Sequence, residues 1–122
     1  GFDKELAGLP GDYAAPAGAL LVAEQDGVLA GVIAIRDHGS AACEIKRLYV
    51  RPQARNSGIG RALIARAMEA ARDRGFRRAV LETVPAKMAP AVALYESMGF
   101  APCAPFGRAA ALPEIACLAR SL

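Results

Sequence analysis

The spacing of apolar residues changes repeatedly along this chain of 122 residues, and each change marks an element. Ala19-Leu20-Leu21-Val22-Ala23 is a continuous apolar run and reads as a strand. Val28 to Ile35 reads as a second strand. The Asp26-Gly27 pair between them signals a hairpin, because both residues tolerate the positive φ of a tight turn. His38-Gly39-Ser40 marks another turn, and Glu44 to Arg51 then forms a third strand, stopped by Pro52. From Gly58 to Arg74 the apolar positions are Ile59, Leu63, Ile64, Ala67, Met68 and Ala71, the spacing of one helical face. Gly75 supplies a C-cap with Phe76 packing back behind it. Ala79 to Val84 is a fourth strand, so strand, long helix and strand make a βαβ unit with parallel strands. A second helix runs from Pro90 to Met98, opened by proline and closed by Gly99. The flanks carry weaker signals. Asp3 caps a short helix over Lys4 to Gly8, residues 10–17 form a Pro/Gly loop, and Phe100 to Leu122 holds two weak strands around a proline turn.

Composition narrows the partners. The apolar fraction is 54%, but much of it is alanine, so the core is built of small pieces. The net charge of +3 comes from scattered arginines. A nucleic-acid surface needs a denser basic face, whereas a mild positive excess steers an anionic cofactor. The three cysteines, Cys43, Cys103 and Cys117, are far apart in sequence and include no CxxC pair. That pattern fits reduced thiols in a cytoplasmic protein, with neither a disulfide framework nor a metal site. No apolar run reaches membrane-spanning length and no signal peptide is visible.

The densest chemistry lies in Arg55-Asn56-Ser57-Gly58-Ile59-Gly60-Arg61, between the third strand and the long helix. Glycines let backbone N–H groups approach a ligand closely. A helix N-terminus adds unpaired donors and a partial positive charge. Together they make an anion cradle suited to a phosphate or pyrophosphate. A P-loop would need Gly-Lys-Ser/Thr, but Gly60 is followed by Arg61-Ala62. A Rossmann fingerprint would need a third small residue at a spacing that Ala62 and Leu63 do not supply, although Glu82 stands on the next strand.

Arg-x-x-Gly-x-Gly after a strand ending Leu-Tyr-Val-Arg-Pro resembles the acyl-CoA-binding motif of the GNAT superfamily of N-acetyltransferases. Glu44 to Pro52 is similar to that superfamily's fourth strand, and Ala91 to Phe100 to its Leu-Tyr-Glu-x-x-Gly-Phe signature. The resemblance covers residues 44–100. It implies an α/β fold of three layers with a mixed, mainly antiparallel sheet, two of whose strands splay to admit acetyl-CoA. It also implies direct transfer of acetyl to a primary amine in a ternary complex, without a metal. Glu44 matches the general base and Tyr95 the acid that protonates the leaving thiolate. Leu48 N–H matches the oxyanion donor. Leu48, Tyr49, Val50, Met88 and Tyr95 would meet the acyl-pantetheine arm. Met88 stands where many members carry asparagine, and it can pack on the arm but not bond to it. Arg55, Asn56, Ser57, Gly58, Ile59, Gly60 and Arg61 would hold the pyrophosphate.

Glu44 could instead only pair with Arg36, Lys46 or Arg47, and Tyr95 could only pack with Leu94 and Met98. Tyr13, Tyr49 and Arg36 could line the acceptor pocket, and His38 is expected at the surface. The family fold begins with a strand and a helix that precede the helix placed at Lys4. The chain is therefore expected to be one N-terminally truncated domain over residues 1–122. Its exposed sheet edge would invite a homodimer. A non-catalytic acyl-CoA-binding module and a different nucleotide site, such as one for ATP, are the alternatives.

Overall fold

The computed structural model describes residues 3–6, 18–55 and 57–122. Among these, seven strands form one sheet: β1 (Asp3–Leu6), β2 (Gly18–Gln25), β3 (Val28–Gly39), β4 (Ala42–Val50), β5 (Arg78–Thr83), β6 (Ala101–Pro102) and β7 (Ala116–Ser121). Their spatial order is β1-β2-β3-β4-β5-β7-β6. Every neighbouring pair is antiparallel except β4 and β5. Helix α1 (Ile59–Asp73) joins β4 to β5, and helix α2 (Pro85–Ser97) joins β5 to β6. This is the mixed, mainly antiparallel α/β sheet that the family resemblance implies.

The turns follow from local chemistry. Asp26 and Gly27 have φ of 54° and 78°, the double positive of a type I′ turn, whose twist matches its strands. The next turn falls on Ser40 and Ala41, at φ 56° and 63°, slightly beyond the predicted His38-Gly39-Ser40. There the Gly39 N–H donates to Asp37 Oδ1 at 2.8 Å. The sheet pairs further than the apolar pattern alone indicates, because strand pairing continues through polar residues at a hairpin's end.

All six predicted apolar positions of α1 are buried, and they pack with β2, β3 and β4. Ala67 and Ala71 are fully buried, and their small size lets the helix lie close to the sheet. Leu63 and Ile64, also fully buried, each contribute about 2 kcal/mol of apolar transfer. The helix ends as predicted. Gly75 has φ 88°, its N–H bonds Arg72 O, and the Phe76 N–H bonds Ala71 O, the paired bonds of a Schellman cap.

Two expectations are corrected. The described part of the predicted N-terminal helix, Asp3–Leu6, is strand, paired antiparallel with β2. Edge pairing with Leu20–Ala23 overrides a weak capping signal, and β2 is not the sheet's edge. The Pro/Gly loop at 10–17 lies outside the described residues. Helix α2 starts at Pro85 rather than Pro90, with a kink at Met88 (φ −124°, ψ 30°). Pro90 has no N–H for the preceding turn, so the predicted start coincides with the break.

The feature that shapes the site is the parallel ladder. Only Ala42↔Arg78, Cys43↔Ala79 and Glu44↔Val80 are paired. Beyond them β4 runs on to Val50 and β5 to Thr83, without pairing to each other.

Strand β3 is held tightly against β4 at Gly31. A Cβ there would lie 2.8 Å from Tyr49 O and 3.0 Å from Leu63 Cδ1. Gly31→Ala is therefore expected to lower stability by about 1–3 kcal/mol. Denaturant midpoints would measure this, and an unchanged midpoint would mean that the strands have slack at this point.

Candidate functional site

Between the parted ends of β4 and β5 lies a cleft of about 460 Å³. Glu44, Arg47 and Leu48 line it from β4, Glu82 and Thr83 from β5, and Met88 and Tyr95 from α2. Strand β4 bulges here. Val32 faces Tyr49 and Ala34 faces Lys46, so β4 spends one extra residue, and Arg47 takes φ 59°. Leu48 has no register partner on β3, and the β5 ladder has already ended at Glu44. The strand thus turns part of its main chain toward the cleft with no neighbouring strand to claim it.

Glu44 is 4% exposed, deep for a carboxylate, and it is ringed by basic side chains. Arg36 Nε and Nη2 donate to Oε1 at 3.2 and 3.1 Å. His38 Nδ1 lies 3.9 Å from the same oxygen, and Lys46 Nζ lies 3.8 Å from Oε2. The cross-strand pair Arg36↔Glu44 fixes the closest of these contacts. A buried carboxylate requires such partners. Two of the expected pairings, with Arg36 and Lys46, are present.

Tyr95 is buried without such help. Its ring packs edge-on against Phe100 at 5.2 Å between centroids. Phe100 is held back by its N–H bond to Tyr95 O, in the turn at Gly99. Burial pushes the phenol well above the ordinary tyrosine range, so it stays protonated. Its hydroxyl makes no hydrogen bond with a described residue.

The glycine loop is organised separately. Gly58 caps α1 at φ 85°, and a Cβ there would meet nothing within 4 Å. Gly60 answers to packing, since its Cβ would lie 3.2 Å from Leu94 Cδ2 on α2. Arg55 Nε donates to Val50 O at 3.0 Å, and its guanidinium sits 5.9 Å over the exposed Tyr49 ring. Arg61 Nη2 donates to Ser97 Oγ at 2.9 Å. Ser57 Oγ donates to Ala54 O, so this hydroxyl is engaged within the loop. Ser57, Gly58 and Ile59 line a smaller hollow with Gln25. Asn56 and Tyr13 lie outside the described residues.

The cleft therefore gathers Glu44, Leu48, Met88 and Tyr95, together with Arg36. Tyr49, Val50, Arg55 and the residues from Ser57 to Arg61 are not among its lining residues. Sequence reasoning did not include Glu82 in the site. Its Oε2 accepts from Ala109 N at 3.2 Å, tying the turn after β6 to the cleft. The available signal was a polar Glu82-Thr83 pair closing an otherwise apolar strand.

Comparison with known proteins agrees with this architecture. A solved structure from Klebsiella pneumoniae, assigned as an acyl-CoA N-acyltransferase, superposes with a TM-score of 0.80 at 28% identity, over 87% of this chain and 73% of that one. The fold is also shared with a GNAT family acetyltransferase from Elizabethkingia anophelis solved with acetyl-CoA bound, with a TM-score of 0.74 at 20% identity, over 87% of this chain and 77% of that one. The class is thus an α/β fold of the acyltransferase type. The model of the acetyltransferase (GNAT) family matches residues 2–100, and the chain belongs to that family. An N-acetyltransferase of Schizosaccharomyces pombe, itself uncharacterized, is 37% identical over 106 residues, 85% of this chain and 64% of that protein. The chain thus spans less than two thirds of that relative. No described helix is long and apolar enough to cross a membrane.

The buried phenol has a measurable consequence for stability. An unfolded tyrosine releases its proton near about pH 10, whereas the folded Tyr95 keeps it. Above that pH the native state binds more protons, so the Tyr95 contribution to stability is present below about pH 10 and is lost as pH rises further. Denaturant midpoints between about pH 8 and pH 11 should fall more steeply in the wild type than in Tyr95→Phe. Parallel curves would mean that the hydroxyl is solvated as freely as in the unfolded chain.

Proposed function

We propose that this domain transfers acetyl from acetyl-CoA directly to a primary amine held in the same ternary complex. The observation that carries this reading is a neutral, buried phenol, Tyr95, with no described partner for its hydroxyl, lining the cleft where β4 and β5 part. Family membership supports the same chemistry.

The residues present fit the cofactor. Gly58 leaves open space at the start of α1. The helix's first bond runs from Ala62 N to Gly58 O, so Ile59, Gly60 and Arg61 begin the helix with N–H groups that lack a helical acceptor. These groups and the remaining donors of Arg55 and Arg61 would hold the pyrophosphate. Met88, 45% exposed at the kink of α2, offers an apolar surface to the pantetheine arm. The thioester supplies an activated acyl group and a thiolate leaving group.

The protein's part is proton handling and polarisation. Leu48 N–H, at the bulge, polarises the acyl carbonyl. Tyr95 gives its proton to the departing sulfur and recovers one from solvent. Glu44 receives the ammonium proton through water, because Arg36 and Lys46 already crowd both of its oxygens. That engagement also gives substance to the alternative, an acyl-CoA-binding module without turnover. Thiol release from acetyl-CoA over a panel of amines separates the two. Release with at least one amine is expected, whereas saturable CoA binding without release for any amine would favour the module.

Two substitutions test the assignments. Tyr95→Phe should lower kcat by about 100-fold with KM for acetyl-CoA little changed. Unaltered kcat would leave Tyr95 as packing for Phe100. Gly58→Val should weaken CoA binding by at least about tenfold, since a branched side chain would fill the space above the helix start and strain a positive φ. Calorimetric titration with CoA reads this, and full affinity would remove the loop from the site.

A further inference from the structure

We propose that Cys103 and Cys117 form a facing cross-strand dithiol, a site that a peroxide oxidises to an internal disulfide. Strands β6 and β7 pair Ala101 with Ala119 and Pro102 with Leu118. The next step sets Cys103 opposite Cys117, and Cys103 N donates to Cys117 O at 3.0 Å. Opposed residues of an antiparallel pair point to the same face, and in a hydrogen-bonded pair such as this one the Cα atoms are about 5.5 Å apart. That spacing lies within the range of about 4.4–6.8 Å that a disulfide spans. Both thiols are free in this structure. They differ in access: Cys103 is half-buried and Cys117 is buried, with its Sγ 4.0 Å from Phe106 O. The odd cysteine is Cys43, fully buried beneath α1.

The chemistry balances with the peroxide as oxidant. The Cys103 thiolate attacks one peroxide oxygen, the O–O bond breaks, and a sulfenic acid forms with release of water or an alcohol. The Cys117 thiolate then attacks the Cys103 sulfur, the S–O bond breaks, and water leaves as the S–S bond forms. Two electrons pass from the sulfurs to the peroxide. Burial pushes the Cys103 thiol above its ordinary value, so little thiolate is present near neutrality and the reaction quickens as pH rises.

The bridge would close the segment 104–116, which touches Glu82 of the cleft and His38, a neighbour of Glu44. The Phe106 ring meets His38 at 4.7 Å between centroids, and Ala109 N bonds Glu82 Oε2. Oxidation would therefore fix the turn that braces the β5 wall. This holds whatever the acceptor is, and it does not depend on turnover.

The test treats the purified chain with hydrogen peroxide, alkylates the remaining thiols under denaturing conditions, and maps the peptides by mass spectrometry. The expected product is a monomer lighter by two hydrogens, with the Cys103 and Cys117 peptides linked and Cys43 alkylated. Its Tm should rise by several degrees and return after dithiothreitol. Formation should quicken by up to about tenfold between about pH 7 and pH 8. Cys103→Ser should abolish the link, whereas Cys43→Ala should leave it intact. A wild-type product with Cys103 as a sulfinate or an intermolecular link, and Cys117 still alkylatable, would overturn the site. A linked product with unchanged Tm would overturn the claim that the bridge fixes the loop.

Discussion

Everything at the site depends on a parallel ladder that stops after three residue pairs. Strands β4 and β5 meet from Ala42 to Glu44 and then part. Full pairing would join the strand edges and leave no room between them. An abrupt end would leave backbone donors and acceptors stranded in the core. The bulge at Arg47 reconciles these demands. It spends an extra residue on β4, interrupts the β3 register at Leu48 and turns the strand across the mouth of the cleft. Strand β5 stays firm on its other side, paired with β7 from Arg78 to Thr83. One wall is therefore rigid by pairing and the other is shaped by a bulge.

Glu44 and Tyr95 face this cleft under opposite regimes. Glu44 is buried among basic side chains, and Arg36 supplies two hydrogen bonds to one oxygen. Tyr95 is buried against Phe100, and burial keeps its proton in place. A single cleft thus holds a carboxylate held by hydrogen bonds and a phenol that burial keeps neutral. The basic side chains have a second effect, because a ligand seeking Glu44 directly must compete with Arg36 and Lys46.

The legible parts of the fold were those that local chemistry decides. The six apolar positions of α1 repeat at helical spacing, Asp26-Gly27 tolerates positive φ, and Gly75 ends a helix, so each was readable without tertiary knowledge. The family motifs carried the site further, bringing Glu44, Leu48, Met88 and Tyr95 into a single cleft. What escaped depends on partners distant in sequence. Asp3–Leu6 becomes strand because β2 offers it an edge. Glu82 joins the site because the turn around Gly107 and Ala109 folds onto it. Cys103 and Cys117 look unrelated along the chain and become neighbours only when β6 and β7 pair. Register between elements is the information that a single sequence spreads too thinly to read.

The two glycines of the loop show how one motif can encode unlike constraints. Gly58 is required by backbone angle, at φ 85°, and the space above it is open. Gly60 is required by packing, because Leu94 of α2 and Val50 of β4 crowd the place a Cβ would take. Gly58 shapes the surface a ligand would meet, whereas Gly60 lets α2 approach α1 closely enough for Arg61 to reach Ser97. Tyr95 lies in that same docked helix, next to Leu94. The glycine loop and the buried phenol are therefore coupled through α2: a change at Gly60 that moved Leu94 would carry Tyr95 with it. The spacing Gly-x-Gly records both an open helix start at Gly58 and the helix contact that sets the phenol in the cleft.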